Sequence, residues 1–382
     1  MVRLLAIISF LLLFKFSLPV VDKQLENTDV KKTIDSVQSE ISGIDNTALS
    51  DTLTSLYEKI QQLADQLGFQ MDELPFTKQE PQQQPNEVEK VELTTPTEQV
   101  FSINNIELGN LKEDIDHNIG KANRSSLNEY GTKWYTYHED YHDFFMVMYD
   151  KTNKAAGLYT NQDLIASTNG IKMGSSKKDV RSKLGEPLTK IQKGLTLYQL
   201  QENSDYDMFL LKGTYVTIFY DKHEDNTVTA MQLIRKDFEE KKTDFYTKAN
   251  SALKEGFEYQ LFDLTNAARV QHQLPILTWD EHVRGTARKH STDMAVNNYF
   301  DHTNLKGESP FDRMKEDDIS FYLAGENLAY GQFSSIFAHE GLMNSLGHRE
   351  NILREDYEFL GVGVAFNNES QPYYTENFFA KE

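Results

Sequence analysis

The fold of this chain is decided by residues 264–302, LTNAARVQHQLPILTWDEHVRGTARKHSTDMAVNNYFDH. The start of this stretch continues an apolar face at helical spacing, which predicts a helix from about residue 256 to Val270. That face consists of Phe257, Leu261, Leu264, Ala267 and Ala268. Asp280 stands where it can begin a second helix. The buried stripe predicted for this second helix is Val283, Ala287, His290 and Met294.

The rest of the C-terminal region adds a third helix and two strands. The third helix is predicted to begin after Ser334 or Ser335. YEFLGVGVAFNN (357–368) and YYTENFFAK (373–381) alternate as strands do, with a Ser-Gln-Pro turn between them. Three helices followed by a hairpin predict an α/β fold in which helices cover a sheet.

Six segments of this region resemble, in order, the motifs of the CAP superfamily. That superfamily includes cysteine-rich secretory proteins, insect venom antigens and plant pathogenesis-related proteins, and this sequence looks like its bacterial subgroup. The segments are residues 264–302, GESPFDR (307–313), AGENLAYG (324–331), MNSLGHRENIL (343–353), GVGVAF (361–366) and YYTENFF (373–379). The resemblance covers residues 256–382 and implies a three-layer α/β/α sandwich with an open cleft on one side.

The resemblance places His302, Glu326 and His348 in that cleft. Neutral imidazoles and a carboxylate are the ligands of an open zinc-type site, so the set suggests zinc or another divalent metal as a cofactor. The same set also permits acid/base chemistry by the glutamate. Ser345 stands where the family often has a second glutamate, and Glu340 is about 140° away from it on a helical wheel. No catalytic residue is therefore assigned, and the trio remains a set of candidates.

Each of these residues also has a structural interpretation. Glu326 could cap a turn or bind backbone N–H groups, His348 could anchor its loop, and His302 could be a polar residue at the cleft rim. His290 and Asn327 are expected to satisfy buried hydrogen bonds. Three further residues are expected to brace the loop around His348, namely Asn344, Arg349 and Asn351.

Residues 100–240 contain an internal repeat. INNIELGNLKEDIDHNIGKA (103–122) corresponds to STNGIKMGSSKKDVRSKLGEP (167–187), in an alignment that matches Gly109 to Gly174. Each copy predicts a short helix that begins after a glycine and a polar cap and is closed by a second glycine.

A second pair of segments continues the repeat. FFMVMYDKTNKAAGLYT (144–160) corresponds to VTIFYDKHEDNTVTAMQLI (216–234), and both predict a strand, a turn and a strand. The two pairs of segments indicate one α+β domain of two tandem repeats. It resembles the domain that often precedes CAP domains in spore-forming Gram-positive bacteria, to which no chemistry is assigned.

His138 and His142 lie four residues apart between two strand-like segments of this domain. The spacing is compatible with a pair of metal ligands. The alternative, which the flanking strands favour, is the tip of a hairpin.

The N-terminus predicts export from the cytoplasm. Arg3 is followed by an apolar run from Leu4 to Val21, which as a helix would be about 27 Å long. Residues 1–21 are therefore interpreted as a membrane anchor or a cleaved signal sequence, with a buried core helix as the third alternative. Residues 22–99 are interpreted as a helical and then disordered linker, because Pro, Gln and Glu dominate after Met71.

Composition excludes several classes of function. The 382 residues carry a net charge of −20, which disfavours nucleic acid as a partner. Cysteine is absent, so disulfides, thiolate nucleophiles and cysteine zinc sites are excluded. The sequence also lacks Gly-x-Ser-x-Gly and a phosphate-binding glycine loop.

Four segments and two functional hypotheses follow. The segments are the anchor or signal (1–21), the linker (22–99), the repeat domain (100–240) and the CAP domain (256–382), with a charged connector at 237–254 that is expected to be helical. In the first hypothesis the protein is a non-enzymatic module of the cell envelope whose cleft binds a lipid-like, glycan or peptide ligand, and which contacts the membrane through its N-terminal segment. In the second it is a metal-assisted hydrolase of peptide or wall material.

Overall fold

The computed structural model describes residues 90–200 and 204–381. The predicted anchor or signal (1–21) and most of the predicted linker (22–99) lie outside the described residues. Residues 88–382 form one compact unit. Within the described ranges, no helix is long and apolar enough to cross a bilayer.

The repeat domain is built on a seven-stranded antiparallel sheet. The strand order is β2-β3-β4-β5-β11-β10-β9. These strands are β2 (Arg124–Leu127), β3 (Lys133–Glu139), β4 (His142–Tyr149), β5 (Ala155–Thr160), β9 (Tyr206–Leu211), β10 (Thr214–Asp221) and β11 (Thr227–Arg235). Two short pairs lie outside the sheet, β1 (Phe101–Ile103) with β6 (Ile165–Ser167) and β7 (Lys190–Lys193) with β8 (Thr196–Gln199).

The two halves of this domain meet in the middle of the sheet, where β5 pairs with β11. Each half contributes one eight-residue helix, α1 (Lys112–Ile119) in the first and α2 (Lys177–Leu184) in the second. The two helices begin at equivalent positions, because the alignment that matches Gly109 to Gly174 also matches Lys112 to Lys177. Each half also ends in a hairpin, β4–β5 and β10–β11, where the second pair of matching segments predicts one.

Strand β4 is buried on both faces. Phe145, Val147 and Tyr149 belong to a core shared with α1 and α2. The alternate residues Phe144 and Met146 belong to a second core, which includes residues of the C-terminal domain. This double burial explains why FFMVMY is a continuous apolar run, since a strand with one wet face would alternate.

The C-terminal domain has the predicted three layers. Its four-stranded sheet has the order β12-β14-β15-β13, with β12 (Thr278–Trp279), β13 (Leu323–Tyr330), β14 (Phe359–Phe366) and β15 (Pro372–Ala380). Its helices are α4 (Ser251–Gln271), α5 (Glu281–Asn297), α6 (Pro310–Glu316), α7 (Ser335–Met343) and α8 (Leu346–Ile352). Asp280 caps α5 and Ser334 caps α7, which confirms both predicted helix starts.

The glycines of β14 bring α5 unusually close to the sheet. A Cβ on Gly361 would lie 2.3 Å from the backbone nitrogen of Arg284 in α5. Val362 and Val364 point to the opposite face, where they share a core with Leu261 of α4. The sheet is therefore covered by α5 on one face and α4 on the other.

The charged connector, which the sequence predicts to be helical, is helical at both ends. Helix α3 (Lys236–Lys241) follows β11 directly, and α4 begins at Ser251 rather than near residue 256. The earlier start has a local cause, because the Asn250 side chain accepts a hydrogen bond from the backbone of Leu253, which is itself buried. The end of the stretch assigned to a connector, residues 251–254, is thus the first turn of a core helix.

Helix α4 joins the two domains. Gly256 allows it to lie against β2, since a Cβ at this position would be 2.1 Å from the carbonyl oxygen of Leu127. Nearby, the Gln260 side chain donates to the same carbonyl at 3.0 Å, and the Tyr141 hydroxyl donates to Asp263 at 3.0 Å. The domains thus share a continuous core. Independent folding of residues 100–240 and 256–382 stays a prediction.

We expect Gly256→Ala to lower stability by about 1–3 kcal/mol, because the added methyl group would force α4 away from β2. Thermal melting of the full chain checks this. Gly285→Ala is the matched control, since Gly285 is also helical but has open space around its Cβ position. That substitution should stabilise by about 0.5–1 kcal/mol through helix propensity. Equal melting temperatures for the two variants would contradict the close approach.

Candidate functional site

Glu326 is the centre of the candidate site. It lies on β13, and its side chain is almost completely buried. Its Oε1 accepts a hydrogen bond from Nδ1 of His302 at 2.9 Å, and its Oε2 accepts one from Nη2 of Arg313 at 2.6 Å. Each carboxylate oxygen therefore has a partner that can carry positive charge.

Two further contacts fix the chain around His302. Nε2 of His290, on α5, donates to the carbonyl oxygen of Asp301 at 3.0 Å. Nη1 of Arg313, on α6, donates to the carbonyl oxygen of His302 at 2.8 Å. Since these contacts hold the backbone before and after the imidazole, the direction of the His302 ring is set by buried groups. Its Nε2 has no hydrogen-bond partner among the described residues.

His348 approaches the same site from α8. Its Nδ1 shares a hydrogen bond of 2.7 Å with the hydroxyl of Ser345, the residue that precedes α8. The side chain of Ser345 makes no capping hydrogen bond to the backbone of α8. Its hydroxyl is hydrogen-bonded to the His348 imidazole instead. The Nε2 of His348 likewise has no partner within the described ranges. The Nε2 atom of each imidazole is thus available to bind another molecule.

The two imidazoles have opposite electrostatic environments. The hydrogen bond from His302 to Glu326 raises the pKa of His302. Burial lowers the pKa of His348, and the positive charge of nearby His302 lowers it further. The folded protein therefore stabilises the protonated form of His302 and the neutral form of His348, each relative to a free imidazole.

We expect NMR titration to find the His302 pKa above, and the His348 pKa below, the values of the same residues in urea. The His302 contribution to stability is then fully present below about pH 6.5 and is lost as the pH rises through its folded pKa. His348 acts oppositely, because the folded state resists its protonation as the pH falls. Glu326→Gln should lower the His302 pKa. An unchanged His302 titration in that variant would contradict the assignment.

The asparagines of the motifs form a buried support behind the site. Nδ2 of Asn327 donates to the carbonyl oxygen of His348 and to Glu376, both at 3.1 Å. Nδ2 of Asn351 donates to the carbonyl oxygen of Glu326 at 3.2 Å. Burial raises the pKa of Glu376 to about 7. The predicted structural roles of His290, Asn327 and Asn351 are confirmed by these contacts.

Arg349 and Asn344 reach further than their own loop. Nη1 of Arg349 donates to Asp221 of the repeat domain at 2.8 Å. Asn344 accepts from the backbone nitrogen of Lys222 at 3.0 Å and donates to the carbonyl oxygen of Tyr220 at 2.8 Å. The loop that carries Ser345 and His348 is therefore held by the end of β10. The sequence predicted that Asn344 and Arg349 stabilise the loop around His348. In the structure these residues also bind the repeat domain.

We expect Asp221→Ala to destabilise the protein by about 3 kcal/mol, because it leaves Arg349 buried without its partner. The freed loop should also let the His348 pKa rise toward its ordinary value, which NMR measures. Asp205→Ala is the control, since Asp205 faces exposed Lys222 at 3.9 Å and should cost less than about 1 kcal/mol. If the His348 pKa in Asp221→Ala is the same as in the unmodified chain, the C-terminal domain alone positions the loop.

The structure brings the sequence-predicted trio together but changes the role of Glu326. His302 and Glu326 are in direct contact, and His348 lies close enough for its pKa to respond to the charge on His302. Within the described ranges, no three His, Asp or Glu side chains are arranged to hold a metal ion. Sequence reasoning missed Arg313, although it lies in the quoted GESPFDR segment. A basic residue at the end of that motif was the available signal.

Two other candidates lie elsewhere. Glu340 accepts a hydrogen bond from Tyr159 of the repeat domain at 2.5 Å, so it belongs to the contact between domains and does not replace the missing glutamate. His138 and His142 flank the turn between β3 and β4, as the hairpin interpretation predicts. Nδ1 of His138 accepts from the backbone of Tyr141 at 2.9 Å.

The α/β/α layers and the site formed by His302, Glu326 and His348 define a recognisable class of protein. Residues 262–378 match the model of the cysteine-rich secretory protein family, CAP, and residues 108–245 match the CAP-associated N-terminal domain. The chain therefore belongs to the CAP superfamily, with a CAP-associated domain ahead of its CAP domain.

Two relatives from Bacillus subtilis share part of the sequence. An uncharacterized membrane protein, YlbC, is 46% identical over 121 residues, which are 32% of this chain and 34% of the relative. An uncharacterized protein, YkwD, is 41% identical over 140 residues, or 37% of this chain and 53% of the relative. The match thus spans between a third and about half of the length of these relatives.

Two crystal structures share the fold. An extracellular protein with an SCP domain from Bacillus anthracis has a TM-score of 0.64 at 24% identity, and the match covers 77% of this chain and all of that one, 100%. A cysteine-rich secretory protein from Staphylococcus aureus has a TM-score of 0.56 at 14% identity, covering 72% of this chain and 94% of that one. At these identities the likeness establishes the fold.

Proposed function

We propose that this protein is a non-enzymatic binding module on the outer side of the cytoplasmic membrane, and that its CAP cleft binds short peptides. The observation that carries the proposal is the double pairing of Glu326 with His302 and Arg313. A general base or a metal-ligating carboxylate needs an oxygen directed at the reacting group. Both oxygens of Glu326 are instead directed at cations of the protein itself.

The two free imidazole nitrogens suit recognition of a peptide. Nε2 of protonated His302 donates a hydrogen bond, whereas Nε2 of neutral His348 accepts one when its proton is on Nδ1. A peptide unit presents a carbonyl acceptor and an N–H donor. The opposite pKa shifts of the two histidines therefore match the two polar groups of one peptide bond.

An exposed aromatic pair extends the same surface. Phe300 and Tyr330 are 47% and 41% exposed, and their ring centroids are 5.5 Å apart. Tyr330 lies four residues beyond Glu326 on β13, so both face the same side of the sheet at a separation of about 13 Å. A peptide of a few residues could span that distance, with an apolar side chain on the aromatic pair.

The N-terminal sequence supports the location of the module. Arg3 and the apolar run after it are typical of an exported or anchored protein. YlbC is described as a membrane protein, and the B. anthracis structure as an extracellular protein. Export would place the cleft where envelope and extracellular peptides are available.

A metal-assisted hydrolase is the second candidate, and one observation favours it. The carboxylate of Glu326 behind Nδ1 of His302 has the arrangement of an outer partner to a metal-binding imidazole. The free Nε2 atoms of His302 and His348 would be the ligands, with water completing the coordination. Two protein ligands predict weak binding, since catalytic zinc sites usually have three.

We expect the full chain to retain peptides from a tryptic digest of casein without shortening them, in the presence of either zinc or a chelator. Mass spectrometry of retained and unbound peptides measures both properties. His302→Ala should reduce retention, whereas His282→Ala, which changes an exposed histidine of α5, should not. Shortened peptides that require His302 and zinc would establish the hydrolase. An absence of retention by the unmodified chain would overturn the binding module.

A further inference from the structure

A second cleft lies in the first half of the repeat domain, away from the CAP residues discussed above. It has a volume of about 710 Å³, within the ~300–1,000 Å³ range of small-molecule sites. Its walls come from helix α1, from the turn after β1, and from the end of the β3–β4 hairpin. Neither the CAP-cleft proposal nor the family assignment gives this surface a role.

The walls of this cleft are rich in side-chain amides, contributed by Asn104, Asn105, Asn110, Asn118 and Asn123. Part of this set is structural, because Oδ1 of Asn110 accepts from the backbone of Glu107 and Oδ1 of Asn123 accepts from the backbone of His138. The Nδ2 groups of these two residues have no partner among the described residues. Asn105 is fully used, since its Oδ1 accepts from the backbone of Thr94 and its Nδ2 donates to the carbonyl oxygen of Glu92. The cleft therefore retains the Nδ2 donors of Asn110 and Asn123 and the whole amides of Asn104 and Asn118, within the described residues.

Asn104 is the most informative of these residues. It is only 9% exposed, yet its side chain makes no hydrogen bond to any residue that the structure describes. Its amide oxygen and nitrogen are not among the fully enclosed polar atoms, so they remain open to the cleft. Its backbone φ of 50° is a left-handed conformation that asparagine tolerates better than most residues. The amide is thus held in the cleft wall with its hydrogen-bonding capacity unused.

The second half of the domain lacks most of these amides. In the alignment of the two repeats, the five equivalent positions are occupied by Asn169, Gly170, Ser175, Lys183 and Leu188. Asn169 is the one amide among them, although α2 has the same length as α1. The amide-rich surface is therefore a property of the first half, and Asn104 and Asn118, whose side chains bond to no described residue, are the part of it that the fold does not use.

The charges of the cleft select against anionic ligands. Its walls include the carboxylates of Asp114, Glu139 and Asp143, against a single lysine, Lys121. His138 adds no positive charge at neutral pH, because burial lowers its pKa to about 4. A phosphate or carboxylate ligand would be repelled by this excess of negative charge.

We propose that this cleft binds a neutral oligosaccharide. Each sugar hydroxyl is both a donor and an acceptor, which matches amides that offer both functions. Ile119, at the end of α1, is 41% exposed in the same wall and provides an apolar surface for the C–H face of a sugar ring. The cleft would give the repeat domain its own ligand, independent of the CAP cleft.

Chitotetraose, a neutral oligomer of N-acetylglucosamine, is the probe, and isothermal titration calorimetry on the full chain is the measurement. We expect saturable binding that Asn104→Gly and Asn118→Ala each weaken about fivefold, as the loss of one hydrogen bond predicts. Glycine preserves the left-handed backbone at position 104. His117→Ala is the matched control, since His117 is an exposed neighbour on α1 that does not line the cleft.

Thermal melting of each variant establishes that it is folded before its affinity is compared. Absence of binding by the unmodified chain, or equal affinity of both asparagine variants and the unmodified chain, would overturn the proposal. Tighter binding of polyphosphate than of chitotetraose would overturn the neutral ligand class. Loss of chitotetraose binding in His302→Ala, with both asparagine variants unaffected, would place the saccharide in the CAP cleft and also overturn it.

Discussion

The structure depends on one helix, α4, which is buried between two sheets. One side packs on β14 of the CAP sheet, and the other lies on β2 of the repeat sheet, where Gly256 permits close contact. Because few positions of the helix face water, most of its polar residues are buried, and each must find a partner within the protein. This requirement links α4 to many other elements.

The buried polar groups of α4 show how specific these links are. Glu258 accepts from Arg284 and Arg288 of α5 and from the backbone of Val364 in β14. Arg269 donates to the carbonyl oxygen of Ile352, at the end of α8. Losing one partner would leave an unpaired charge in the core, so these contacts define one arrangement of helices and sheets.

The geometry of the candidate site depends on this arrangement of helices and sheets. Thr265 of α4 donates to Glu376, which accepts from Asn327 next to Glu326. On the other side, Asp221 and the end of β10 hold the loop of His348. The cleft therefore has one wall supported by the CAP core and one supported by the repeat domain. This dependence gives the repeat domain a physical role in any function of the CAP cleft.

Local patterns in the sequence were sufficient for the family and for the main helices and strands, but not for α6, α8, β12 and β13. Asp280 and Ser334 indicated two helix starts, GVGVAF indicated a buried strand, and the alignment of the two repeats placed α1 and α2. Motif order alone brought His302, Glu326 and His348 to one site. These features depend on periodicity, caps and short motifs, which can be read along the chain.

Tertiary structure alone decided which partners these residues have. Arg313 neutralises Glu326 across the fold, and Arg349 binds Asp221 across a domain boundary. Such contacts join residues that are far apart in sequence, so no local pattern encodes them. The sequence by itself determined the main helices and strands, the family and the candidate residues, whereas the packing of two sheets on one helix decided how those residues are charged, held and presented to a ligand.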